Sequence, residues 1–525
     1  MYILDLPAEL LLRIVYYIPS IQEKCQLLET CTQFNMMLAN HPACWSHLDF
    51  SPFREINNSM LLTFFKNCGI QLSSCEDPLS NAVIALDISS CKHLSENMLA
   101  ALSKTFTGLK ELGVNGYRLS SESEYIKSQT KSFEQLRDHV YQVLPSHGLS
   151  SMTMDLSKKT SEQLKIPFVL LAGMLQELPN LDSLSMQYQE LMPPQHITHL
   201  PFIEFTHIRH IDISSCTITQ PSLQAFLRIV GPNLITLKML NIDFNHLTAL
   251  CLMHCNQLEC LHLSCNDKSL LRAISRTLSN MKHIKDFRMT RMWVGSIDLV
   301  VSKLNTDILE RLDLSPKMNI YAKTATKTPA AQIKLAQQTS QTNGNNKHPN
   351  KTSTVATVSY ATIDHDLYLT DHSLYHLGQC HQLTELRLCF PTISADGLLY
   401  FCQTKAAAGL QVFELRIKAA SDGYCTGIPL LKNLKELYLY SVSLTPKTIL
   451  SIASNLTKLR SLTISEGGPH LEETDMQNTL LYNLPVLRVL RLGKLNRPTC
   501  SLTESNHESN IIFTKSHPQN IWHVQ

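Results

Sequence analysis

Apolar residues recur along this chain in one short pattern: an apolar position, two variable ones, a second apolar position, one variable, and a third apolar position. With the middle position as marker, it falls at Leu86, Leu112, Met152, Leu184, Ile211, Leu237, Leu261, Phe287, Leu312, Leu386, Phe413, Leu437, Leu462 and Leu490, mostly 24 to 28 residues apart. That spacing accommodates a strand, a turn, a helix and a return, and a unit of this kind buries its apolar edge only against the next copy. The intervening segments agree. After Leu86 and Ile88 the chain passes Ser89, Ser90 and Cys91 and enters a helical spacing at Met98, Leu99 and Leu102. After Ile211 and Ile213 it passes Ser214, Ser215 and Cys216 to Leu223, Phe226 and Leu227, with Gly231 and Pro232 closing the helix. Residues 82–495 are therefore expected to form an α/β array of about fourteen stacked units. The expected shape is a curved solenoid, with parallel strands on its concave side and helices on its convex side.

The irregularities mark loops. The step from Leu112 to Met152 is long, and the Ser-rich stretch 120–129 reads as an extra loop. Leu247 to Cys255 also matches the strand pattern but stands too close to the copy at Leu261, which is the preferred strand. Residues 316–362 are rich in Thr, Lys, Gln, Asn and Ala, a composition that buries too little apolar surface to offset chain entropy, so they read as a disordered insertion. Its lysines, Lys317, Lys323, Lys327, Lys334, Lys347 and Lys351, lack interleaved arginines and aromatics, which favours a solvated segment over a nucleic-acid contact. The polar tail 496–525 either frays or folds Ile511, Ile512, Phe513 and Trp522 back over the last unit.

Cys91, Cys216 and Cys255 are read as standing just after a strand, with Asn266 in the same place after Leu263. In this the array resembles the cysteine-containing subtype of leucine-rich repeats.

Residues 1–50 follow a different rule, with three short helical patterns before a connector over 51–81. Asp5 suits a cap, Pro7 a first helical turn, and Leu10, Ile14 and Ile18 one helical face. Pro19 and Ser20 stop that helix, and two more follow from about Ile21 to Glu29 and Cys31 to Asn40. The run Leu6-Pro7-Ala8-Glu9-Leu10, the pair Leu27-Leu28, Cys31 followed by Phe34, and His41-Pro42 leading to Trp45 and Leu48 together resemble an F-box. Phe34 stands where that family often has Trp, and the loop after Pro19 is less acidic than usual. The resemblance implies a substrate-receptor subunit of an SCF-type ubiquitin ligase. Leu6, Pro7, Leu10, Ile14, Leu27 and Leu28 would then face a Skp-type adaptor and, through it, a cullin-RING ligase. Cys31, Phe34 and Trp45 would lie on that face or in the module's own core. Helices that merely cap the end of the array are the alternative, and the two roles are compatible.

Bulk properties narrow the setting. A net charge of +2, with 17% charged residues, supplies no field that would draw the whole protein to nucleic acid or an anionic membrane. Sixteen cysteines without paired spacing suit a reducing compartment, hence a cytoplasmic or nuclear location. The run Leu10 to Ile18 is interrupted by Arg13 and preceded by Asp5 and Glu9, unlike a signal peptide, and no apolar run is long enough to span a membrane.

Between the apolar markers, side chains alternate to the outer face of each strand and form a ladder across the repeats. Ser151, Thr153, Ser183 and Ser185 make its early part small and weakly charged. Farther on it becomes Asp286 and Arg288, Arg311 and Asp313, Glu385 and Arg387, Glu414 and Arg416, then Glu436, Tyr438 and Tyr440. Arg288, Arg311, Arg387, Arg416, Tyr438 and Tyr440 are the expected target contacts, the arginines suiting an acidic or phosphorylated segment. Alternating signs equally suit charges that pair across rungs. The chain has no phosphate loop, zinc-protease helix or nucleophile elbow, so no enzyme and no cofactor are expected. Cys251, His254, Cys255, Cys260, His262 and Cys265 include metal-capable groups, but their spacing is poor for zinc and no metal is expected there.

Overall fold

The computed structural model describes residues 6–18, 20–68, 70, 82–91, 93–116, 168–191, 202–265, 267–290, 295–314, 367–389, 392–420, 422–442, 444–465, 480, 483–493, 510–516 and 521–524. Helices α1 (Ala8–Tyr16), α2 (Ile21–Thr30) and α3 (Thr32–Asn40) come first. A mixed α/β repeat architecture follows, organised by one sheet of sixteen strands. In order these are β1 (His47–Asp49), β2 (Ala85–Asp87), β3 (Glu111–Gly113), β4 (Ser183–Ser185), β5 (His210–Asp212), β6 (Thr236–Met239), β7 (Cys260–Ser264) and β8 (Asp286–Thr290). The sheet continues with β9 (Arg311–Leu314), β10 (Glu385–Cys389), β11 (Val412–Ala420), β12 (Glu436–Val442), β13 (Ser461–Ser465), β14 (Val489–Gly493), β15 (Asn510–Ser516) and β16 (Ile521–Val524).

The marker residues set the register. Leu48, Leu86, Leu112, Leu184, Ile211, Leu237 and Leu261 stand opposite one another on successive parallel strands. Phe287, Leu312, Leu386, Phe413, Leu437, Leu462 and Leu490 carry the row on to β14. Every one of them is buried. Two sequence readings change. Met152 lies outside the described residues, and β3 pairs directly with β4, so no rung stands between Leu112 and Leu184. The row also begins earlier than the periodicity suggested: His47–Asp49 is a strand, and α4 (Asn58–Asn67) follows it and buries Leu61 and Phe65. The helix at His246–Cys251 takes the stretch that competed with Leu261, leaving Leu261 on the sheet.

Turns and caps recur because the same local chemistry recurs. Asp87 and Asp212 each accept the backbone N–H two residues on, and Ser90 and Ser215 follow in the left-handed region at φ 62° and 61°. The cysteine after the turn is buried and reaches back one repeat, Cys91 Sγ to the Phe50 carbonyl and Cys216 Sγ to that of Met186. Cys255 departs from that reading: it follows a short 3-10 turn, Leu252–His254, and precedes its strand, while Cys265 stands just after β7. Asn57, Ser95, Thr219, Asn245 and Thr445 each accept an N–H in the first turn of the helix they precede, satisfying a donor that would otherwise lack a partner.

A second device ties consecutive repeats. Asp298 accepts the Thr370 N–H and hydroxyl, Asp371 accepts those of Ser394, and Asp422 those of Thr445. In each case the carboxylate of one unit holds the N-cap residue of the next helix.

At the far end, β15 pairs antiparallel with β14, and β16 with β15, so the backbone of the tail occupies the edge of the last parallel strand. The lysine-rich insertion, 316–362, lies outside the described residues. Among those described, no helix is long and apolar enough to cross a membrane.

Candidate protein-binding surfaces

Among the described residues, two surfaces carry candidate binding chemistry. The first is on α1. Leu11 and Val15, four residues apart, are almost fully buried and form the helix's inner face. Leu10 and Ile14 lie beside them and are 47% and 43% exposed. Tyr17, seven residues from Leu10, continues the outer stripe. Pro7 is exposed at the N-cap of the helix, whereas Asp5 lies outside the described residues. Met36 on α3 adds a further exposed apolar side chain.

The rest of the predicted adaptor set divides by depth. Leu6, Leu27, Leu28 and Cys31 are half-buried against the core. The Cys31 sulfur accepts the Phe34 N–H at 3.5 Å and so caps α3. Phe34 and Trp45 are buried. Trp45 donates its indole N–H to the Leu38 carbonyl at 2.9 Å and meets the Phe64 ring edge-on, which joins the helices to the first strand–helix unit. Of the two places open to Phe34 and Trp45, both occupy the core. Lys24 is buried as well, donating to the Cys44 carbonyl at 2.7 Å, and burial holds its amine below the usual lysine range. Tyr17 and Met36 were not anticipated, although Tyr17 sits at helical spacing from Leu10 and Ile14.

The second surface is the ladder on the outer face of the sheet, whose charges meet across rungs. Arg311 is 2.9 Å from Asp286, Arg288 is 2.9 Å from Asp313, and Arg387 reaches both Glu385 at 2.5 Å and Glu414 at 3.0 Å. Glu385 and Arg387 are neighbours on one face of a single strand, and the parallel register creates the other three pairs by setting Asp286 opposite Arg311, Arg288 opposite Asp313, and Arg387 opposite Glu414. Arg288 is largely covered, while Arg311 is half-exposed.

Beyond Arg387 the surface turns aromatic. The Arg387 guanidinium lies 5.5 Å from the Tyr438 ring centre and that of Arg416 lies 4.2 Å from Tyr440. The Tyr438 hydroxyl donates to Glu436 at 2.8 Å, and burial together with that bond pushes its pKa up to about 12. Arg416 Nε is buried with no hydrogen-bond partner among the described residues. Ser151 and Thr153 of the early ladder lie outside the described residues.

The cysteine-rich stretch sorts itself by face. Cys251, Cys255 and Cys265 are buried, whereas Cys260 and His262 belong to the ladder, with Asp286 beside them on β8. Burial and the Asp286 charge push the Cys260 thiol up to about 12, far from the thiolate a nucleophile requires.

No family model matches the chain, and no curated protein sequence does. Among solved structures it is similar to an internalin from Listeria monocytogenes, with a TM-score of 0.35 and 14% identity over 78% of this chain and 79% of that one. It is also similar to a structure of the Rad7 and Elc1 complex in yeast, with a TM-score of 0.41 and 14% identity over 92% of this chain and 96% of that one.

Proposed function

We propose that the protein is a substrate receptor: its first helices dock on a Skp-type adaptor of a cullin-RING ligase, and its repeat ladder holds the target. The observation that carries the reading is the double-sided apolar character of α1. Leu11 and Val15 complete the core, while Leu10 and Ile14 keep nearly half of their surface, and Tyr17 most of its own, exposed among the described residues. A helix with such a stripe gains by laying it in a partner's groove. The F-box-like order of residues supports an adaptor of that class, and the exposed stripe gives such an adaptor something to bind.

On the ladder, an acidic or phosphorylated target segment has to compete with Asp286, Asp313, Glu385 and Glu414 for Arg288, Arg311 and Arg387. Arg416 stacked on Tyr440, next to Tyr438, makes the better anchor, because it combines apolar area with guanidinium N–H groups not tied into an ion pair among the described residues. Ubiquitin transfer would then be accelerated by proximity, the catalytic groups belonging to the partners.

A second reading has one observation in its favour. The junction of Trp45 with Phe64 packs the helices onto the start of the array, which suits a non-ligase scaffold whose helices only cap its end. Co-purification with a Skp-type adaptor separates the two. The ligase reading expects a complex with the full chain that is lost in the Leu10→Asp/Ile14→Asp variant while thermal melting is unchanged. Absence of any complex with the unaltered chain supports the scaffold.

A further inference from the structure

We propose that Cys260, His262 and Asp286 form a zinc(II) site on the outer face of the sheet, independent of adaptor docking. Cys260 and His262 are two residues apart on β7 and so share a face, and Asp286 is the residue opposite Cys260 on β8. One ligand atom from each falls within 4.8 Å of the other two. Cys260 Sγ is 3.5 Å from His262 Nε2, and the same Nε2 is 3.2 Å from Asp286 Oδ1.

Those separations match the edges of a tetrahedron around zinc. Bonds of about 2.3 Å to sulfur and about 2.05 Å to nitrogen and oxygen put sulfur and nitrogen roughly 3.6 Å apart, and nitrogen and oxygen roughly 3.3 Å apart. Thiolate, imidazole and carboxylate are all zinc ligands, and three of them leave a fourth position for water. The other Asp286 oxygen, Oδ2, accepts from Arg311 at 2.9 Å, which orients Oδ1 toward His262 as an outer partner does in a metal site. Arg311 and the nearby Lys238 are cations and oppose a dication, whereas the carboxylate and the thiolate, formed as zinc displaces the Cys260 proton to solvent, together balance its charge.

The same three residue types suggest a cysteine nucleophile with a histidine base, but the contacts do not have the form of that relay. A catalytic relay engages the two imidazole nitrogens separately, one toward the sulfur and the other toward the carboxylate. Here sulfur and carboxylate both lie beside the same nitrogen, Nε2, so that one ion could contact all three. Sequence spacing hid the site because its third ligand comes from the next repeat, 26 residues after Cys260.

The test uses the full-length protein, stripped with a chelator and titrated with zinc(II), then with cobalt(II) as a spectroscopic substitute. The expected result is one ion per chain and a thiolate-to-cobalt charge-transfer band. Cys260→Ser should abolish the band, His262→Ala should weaken binding by about tenfold or more, and the buried Cys265→Ser should leave both unchanged. X-ray absorption of the zinc-loaded wild type reads the site without any variant and should give one sulfur with nitrogen and oxygen neighbours. Absence of bound metal, a band that survives Cys260→Ser, or a shell of several sulfurs overturns the proposal.

Discussion

The repeat array and the first helix treat the same residue type in opposite ways. Leu86, Leu237 and Leu437 are 3%, 0% and 0% exposed, whereas Leu10 is 47% exposed and Ile14 43%. Each repeat has a neighbour on both sides, so its marker is covered twice, while α1 has the core on one side only. Fully burying a leucine contributes about 1.5–3 kcal/mol relative to leaving it in water. The array has collected that stabilisation internally, and roughly half of it remains available at each stripe residue of α1 for a partner to supply.

The largest expected effects follow from that contrast. Leu237→Ala should lower unfolding free energy by about 2–5 kcal/mol in denaturant titration, because it opens a cavity between two packed repeats. Leu10→Ala should change it by less than about 1 kcal/mol while weakening adaptor capture, since the side chain packs on little. Equal destabilisation by the two substitutions would show that Leu10 is a core residue of the free protein and would remove the reason for a docking face.

Legibility in the sequence follows the same division. The array was readable because burial repeats with the chain: thirteen of the fourteen marker positions, all but Met152, stand in register on the sheet. The strand around Leu48 was missed because the segment was read as the end of a helical module, and periodicity needs a preceding copy to announce itself. On α1, periodicity correctly grouped Leu10 with Ile14, but the equally apolar pair Leu11 and Val15 faces inward. A short helix with apolar residues on both sides does not reveal which side the core takes. The ladder residues were identifiable from strand alternation, whereas their cross-strand ion pairs depend on register between residues 25 to 27 positions apart along the chain, which no local pattern contains.

The array is not wholly self-satisfied, and Glu96 tests how far the contrast extends. It opens α5 (Glu96–Thr105), is buried, and its Oε2 has no hydrogen-bond partner among the described residues. Burial pushes its pKa up to about 7. A carboxyl whose folded pKa lies above the unfolded value of about 4.3 favours folding when protonated. That contribution is complete below the unfolded pKa and is lost as pH rises through about 7. Glu96→Gln should therefore stabilise the protein at pH 8 by roughly 1–3 kcal/mol, and the gain should shrink on acidification. Denaturation at about pH 8 and about pH 5 that leaves wild type and variant parallel would place the charge in contact with water.

Asp422 gives a smaller pH-dependent effect than Glu96, with the opposite sign. It accepts the Thr445 N–H, the Thr445 hydroxyl and the Thr448 hydroxyl at 2.8 to 2.9 Å, linking one repeat to the start of the next helix. Burial alone would raise its pKa, but the Thr445 N–H and the two hydroxyls hold it below the usual carboxylate range. A depressed folded pKa contributes stability that is present above the unfolded value of about 3.9 and disappears as pH falls through the folded one. Loss of these three bonds in Asp422→Asn should cost about 1 kcal/mol near neutral pH, and the cost should shrink as pH falls below the unfolded value and through the folded one. Asp371, which holds Ser394 in the same way, provides the internal repeat of the measurement. If Asp422→Asn and Asp371→Asn are both silent at neutral pH, the carboxylate ties follow the helix caps without strengthening them. The cohesion of the array then rests on its apolar row alone.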